Sequence, residues 1–97
     1  MNQDKLYNII VDRIKKPIEG SYTNYLVQKG LDKIIQKVGE EAVEVAVAGK
    51  NRSEKRLVEE MADLWFHGLV LLAYKKIEPE KVWYELEKRG IISIFGC

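Results

Sequence analysis

Apolar residues recur every three or four positions along most of this chain, the spacing of amphipathic helices. Leu6, Ile9, Ile10 and Ile14 share one face of a first helix predicted over about residues 4–15. Pro17 and Gly20 break it. The stretch GSYTNYLVQKG that follows reads as a loop or short turn. A second helix is predicted from about Leu31 to Ala48, closing near Gly49. In GKNRS, Ser53 is placed to cap a third helix over about residues 54–76. Pro79 suits the first turn of a fourth, which ends before Gly90. The period-2 alternation of strands is scarce, so the expected class is all-α. About four helices form a bundle in one domain spanning residues 1–97. The tail IISIFGC reads as either a short strand or a docked arm.

The faces of the two long helices differ from those of an ordinary surface helix. On the second, Leu31, Ile35, Val38, Ala42 and Val45 gather into a stripe that predicts the core-facing side. Lys33, Lys37, Glu40, Glu41 and Glu44 share another arc, about 100° wide. On the third, Arg56, Glu59, Glu60, Asp63 and His67 form a polar arc of about the same width. The remaining arc, roughly 260°, is almost wholly apolar and includes Leu57, Val58, Met61, Leu64, Trp65 and Phe66. Three other helices in so short a chain cannot cover it. A partner chain is therefore expected to complete the bundle, with a homodimer as the default. Trp65, Trp83 and Tyr84 are expected in the core or at that interface. Gly39 and Gly68 each cost about 1 kcal/mol against alanine inside a helix, and close approach of another helix would account for them.

Composition narrows the setting. A chain of 97 residues, 46% apolar and 32% charged, suits one small globular domain. A net charge of +1 supplies no field for nucleic acid or an anionic membrane. The longest apolar stretch, Leu64 to Tyr74, falls short of the roughly 20 residues of a membrane span and contains His67. The N-terminal MNQDKLYNII is charged where a signal peptide is apolar. The single cysteine, Cys97, excludes an internal disulfide and suits a reducing compartment. The expected location is cytoplasmic.

The carboxylates of GEEAVEVAVAG and LVEEMADLWFHG raise an energetic question, because burying an unpaired carboxylate is costly. Two readings are open. Each stripe is a solvated face, with Lys37 and Glu41 an ordinary i,i+4 pair. Alternatively, the two acidic faces oppose each other and hold divalent cations. Glu41 with Glu44, and Glu60 with Asp63, are i,i+3 pairs, so four carboxylates can converge. Like charges so placed repel unless a cation lies among them. Oxygen donors alone point to Mg²⁺ or Mn²⁺. One cysteine and one histidine make no zinc site. No nucleophile–base set is visible, which favours direct attack by water.

The order of these motifs resembles a known family. E-E-x-x-E, a spacer, then E-x-x-D resembles the signature of the all-α, MazG-like nucleotide pyrophosphatase superfamily. GSYTNYLVQKGLDKIIQKVGEEAVEVAVAGKN, EEMADLWFHGLVLL and VWYELEKRG narrow it to the phosphoribosyl-ATP pyrophosphatase family of histidine biosynthesis, over roughly residues 5–90. The resemblance implies Mg²⁺-dependent hydrolysis of phosphoribosyl-ATP to phosphoribosyl-AMP and pyrophosphate. It implies Glu41, Glu44, Glu60 and Asp63 as metal ligands, with Glu40 beside them on a second metal or orienting the attacking water. Glu40 and Glu41 are thus the catalytic candidates. It assigns Lys33 and Lys37 to phosphate, and Ser21, Tyr22 and Thr23 to substrate. It also admits a dimer of dimers. His67 is either a donor to a ligand carboxylate or a satisfied core histidine. Arg13, Arg56 and Arg89 are weaker phosphate candidates, with a solvated surface charge the favoured reading of each. A pyrophosphatase of free (d)NTPs is the alternative enzyme, and a non-catalytic helical dimerisation module the alternative of another class.

Overall fold

Side-chain caps set the start of three helices in the computed structural model, which describes residues 1–90. Asn2 accepts from the Lys5 backbone N–H and opens α1, Gln3–Lys15. Ser21 accepts from Asn24 and opens α2, Tyr22–Lys29. Ser53 accepts from Arg56 and opens α4, Glu54–Tyr74. Each cap satisfies an N–H that the helix itself leaves free. Between these lies α3, Leu31–Lys50, and α5, Glu80–Lys88, follows the Pro79 cap position. The all-α class holds. The tail IISIFGC lies outside the described residues.

The number of helices differs from the expected four. The stretch expected to be a loop contains α2. Its eight residues are too few for periodicity to declare it, but Ser21 caps it, and Thr23 and Leu26, one turn apart, are buried. Gly30 then stops it at φ 94°, a conformation that favours glycine, and α3 starts at the next residue.

The core draws on α1, α2, α3 and α4: Tyr7, Ile10, Leu26, Ile34, Leu69, Val70 and Ala73. The Tyr7 hydroxyl donates to the Ile77 carbonyl at 2.8 Å and ties α1 to the segment after α4. α5 buries none of its residues. A three-residue link folds α3 back against α4, and that pair is the main contact of the fold.

α3 is turned relative to the expected stripe. Its buried line is Ile34, Glu41 and Ala48, while Ile35 and Ala42 are exposed. Apolar residues flank the carboxylate arc on both sides, so spacing alone did not say which flank meets the chain's own core. Likewise the polar arc of α4 is split, with Glu60 and His67 buried and Arg56, Glu59 and Asp63 exposed, and Val58 and Trp65 face outward, at 61% and 65% exposure. Among the described residues, a Cβ added at Gly39 or Gly68 meets nothing within 4 Å, so neither glycine marks a close helix crossing within the chain. Among the described residues, no helix is long and apolar enough to cross a membrane.

Candidate active site

Glu41 on α3 and Glu60 and Asp63 on α4 each offer an oxygen to one point, all within 4.8 Å of one another. The i,i+3 spacing puts Glu60 and Asp63 on one side of α4, and the hairpin brings Glu41 across to them. Glu41 and Glu60 are each only 6% exposed, whereas Asp63 is open to solvent. Each buried carboxylate has one cationic neighbour on its own helix. Lys37 Nζ lies 3.4 Å from Glu41 Oε1, and Arg56 lies 3.2 Å from Glu60 Oε1. The second oxygens, Glu41 Oε2 and Glu60 Oε2, are buried without a hydrogen-bond partner among the described residues. Buried polar atoms are nearly always satisfied.

The electrostatics follow from that crowding. Burial, then the neighbouring Glu44 carboxylate, pushes the Glu41 carboxyl above the ordinary carboxylate range, with Lys37 opposing and Asp63 adding. Glu60 moves the same way, from burial and then Glu44, against Arg56. Both carboxyls resist ionisation because their charges are desolvated and face like charges. Lys37 is held above its usual value: burial works against its charge, but Tyr22, Glu41 and Glu40 outweigh it.

The remaining candidates occupy distinct places. Glu44 is exposed and borders both Glu41 and Glu60. Glu40 stands on the outer rim, where it accepts from Gln36 at 3.0 Å and pairs with Lys37 at 3.6 Å. That amide hydrogen bond, ahead of Lys37 and Lys33, draws its carboxyl below the ordinary range. Ser21 spends its hydroxyl oxygen on the α2 cap, and Thr23 is buried. Tyr22 crosses to α4, where its hydroxyl meets His67 Nε2 at 2.8 Å. Among the described residues, His67 makes no hydrogen bond to a carboxylate. It is a satisfied histidine whose Nδ1 lies 2.7 Å from the Asp63 carbonyl oxygen. The close pairing of Arg56 with Glu60 was visible in their i,i+4 spacing. The Tyr22–His67 contact joins positions 45 apart and had no local signal.

The residues fit a hard divalent cation. Two buried carboxylates, each with an orphaned oxygen, and an exposed third whose ligand atoms come within 4.8 Å of one another form an oxygen-only donor set. Fold and site together define an all-α protein with an acidic, lysine-flanked cluster of the kind that metal-dependent hydrolases of phosphoanhydrides use.

Residues 3–90 match phosphoribosyl-ATP pyrophosphohydrolase, and the chain belongs to that family of hydrolases. It is similar to the phosphoribosyl-ATP pyrophosphatase of Clostridium botulinum, 56% identical over 86 residues that cover 89% of this chain and 78% of the relative. The enzyme of that name from Methanocella arvoryzae is 50% identical over 88 residues, covering 89% and 93%. The histidine biosynthesis bifunctional protein HisIE of Caldanaerobacter subterraneus is 52% identical over 86 residues, covering 89% of this chain and 42% of that protein.

Proposed function

We propose that the chain hydrolyses phosphoribosyl-ATP to phosphoribosyl-AMP and pyrophosphate, as a step of histidine biosynthesis in the cytoplasm. The observation that carries the mechanism is the convergence of Glu41, Glu60 and Asp63, two of them with an unpartnered buried oxygen, in a member of this family. Glu41, Glu44, Glu60 and Asp63 would hold Mg²⁺, or Mn²⁺ in its place. Such ions supply positive charge to phosphate oxygens and acidify bound water.

The chain's own groups have separable tasks. Lys37 pairs with Glu41 and Glu40, and turns to a phosphate oxygen when substrate arrives. Lys33 adds positive charge on the same arc, and Ser21, Tyr22 and Thr23 border the substrate. Glu40 or Glu41 orients the attacking water. No covalent intermediate is required.

The same reading includes a homodimer, or a dimer of such dimers. Ile35, Val43 and Val47 on α3 and Val58 and Trp65 on α4 are exposed in the single chain. Gly39 and Gly68 lie among these outward positions with open space above them. A second chain would cover this surface.

The test is to incubate purified protein with Mg²⁺ and either phosphoribosyl-ATP or a panel of nucleoside triphosphates, and identify the products. Release of pyrophosphate and phosphoribosyl-AMP is expected. Cleavage of free triphosphates alone would transfer the chain to the house-cleaning class. No cleavage of either would leave a helical dimerisation module.

A further inference from the structure

The chain has a single histidine, and the carboxylate chemistry above makes no use of it. His67 is 4% exposed, yet both of its ring nitrogens are engaged. The Asp63 carbonyl can only accept, so His67 Nδ1 carries the proton and donates to it. In the neutral ring Nε2 is then an acceptor, and the Tyr22 hydroxyl donates to it. Aromatic contacts fix the same rings. Tyr22 meets His67 edge-on at 5.5 Å, and Phe66 packs against Tyr22 at 6.0 Å and His67 at 5.3 Å. The imidazole therefore links the turn that carries Asp63 to the first residue of α2.

We propose that His67 is a positioning residue: it takes the only hydroxyl proton of Tyr22, so the Tyr22 oxygen is left as an acceptor beside the acidic cluster and reads an N–H or O–H donor of the nucleotide. The sugar hydroxyls and base N–H groups of the substrate are such donors. Phosphate oxygens are not, since two acceptors facing each other share no proton. Phosphate is left to Lys37 and Lys33. Tyr22 is 44% exposed, and its hydroxyl is held at His67, whose other ring nitrogen rests on the Asp63 backbone, so it stands beside the acidic cluster. The substrate contact rests on the hydrolysis proposed above; the tautomer does not.

Two measurements test it. With one histidine, the imidazole ¹⁵N spectrum at neutral pH contains one residue's signals. An Nδ1-protonated neutral ring is expected, with an Nε2 resonance that moves in Tyr22→Phe. In kinetics, Tyr22→Phe and His67→Leu should each lower kcat/KM about tenfold, the worth of one neutral hydrogen bond. The double variant should lose no more than the worse single one. His67→Gln, whose Oε1 replaces the lost acceptor, should recover most of the rate, which a purely structural role would not predict. Tyr22→Phe keeps the ring packing and should keep any Mg²⁺-induced rise in melting temperature. An Nε2-protonated ring, additive losses, or an unaltered Tyr22→Phe enzyme would overturn the assignment. A wild-type chain that leaves phosphoribosyl-ATP intact overturns the parent reading and the substrate contact together, and the spectrum still decides the tautomer.

Discussion

Glu41 Oε2 and Glu60 Oε2 are the two atoms with least reason to exist in a protein without a ligand. Glu41→Gln removes a desolvated charge from among like charges, and Asp63→Asn relieves the same repulsion from the exposed side. Each should lower turnover at least 10²-fold, about 2.7 kcal/mol of transition-state stabilisation, while the metal-free protein melts no lower than wild type. Steady-state kinetics and a melting curve on each variant check this. Near-wild-type turnover would remove these carboxylates from the mechanism. The pH dependence of the metal-free protein follows from the raised carboxyls. The folded state holds their protons more tightly than the unfolded chain, so below the ordinary value of 4.5 their stabilising contribution is complete. As pH rises through the raised values the unfolded state ionises first, and stability falls. Mg²⁺ should reverse this loss at neutral pH by binding the folded state alone, and Ca²⁺ should support little turnover because its coordination is longer and looser. Melting curves from pH 4 upward, with and without Mg²⁺, would show it; insensitivity to millimolar Mg²⁺ at pH 7 would indicate a cluster that holds no cation. At this scale much was legible in the sequence. Carboxylates at i,i+3 in an apolar run announce themselves locally. Tyr22 and His67 do not, because only the packing of α2 on the rest of the bundle brings them together.

Elements were legible where they were long. α1, α3 and α4 follow the apolar period, Ser53 marks the start of α4 as expected, and the short α5 was marked instead by Pro79 before it and Gly90 after it. α2 escaped because its two inward residues, Thr23 and Leu26, are too few to establish a period. The orientation of α3 escaped for a different reason. Its apolar positions flank the acidic arc on both sides, one flank for the chain's own core and the other exposed. Gly39 lies on that outer flank, near Ile35 and Val43, and separates the two accounts of it. If nothing covers α3, Gly39→Ala gains about 1 kcal/mol of helix propensity, since an added Cβ meets only open space. If a second helix crosses there, the methyl group holds it away. The expected outcome is a weaker dimer, seen as a melting temperature that becomes more dependent on protein concentration. A uniform gain in stability with unchanged association would mean that no helix crosses at Gly39.

For the whole molecule, the decisive side chain is Trp65. It lies about 160° around α4 from Asp63, too far to touch the site. It was expected to be buried in the core or at an interface, and in the single chain it is 65% exposed. It borders an apolar cleft that Leu64, Leu72, Val82, Trp83 and Leu86 line between α4 and α5. Truncating a buried tryptophan costs about 3–5 kcal/mol, but little of that applies to a side chain already in water. Trp65→Ala should therefore leave the fold of an isolated chain nearly unharmed and act on association instead. An aromatic anchor at the centre of an interface contributes about 2 kcal/mol or more, and a two-fold axis presents it twice. Since α4 also carries Glu60 and Asp63, losing the partner loosens the helix that forms half of the site. Wild type should sediment as a dimer or larger and hold its specific activity on dilution. Trp65→Ala should dissociate at higher concentration and lose activity in step with dissociation. Sedimentation velocity and activity, measured over one dilution series for both proteins, make the comparison. A wild-type chain that is monomeric and fully active at every concentration would show that one chain suffices, and the exposed apolar faces of α3 and α4 would then need another cover.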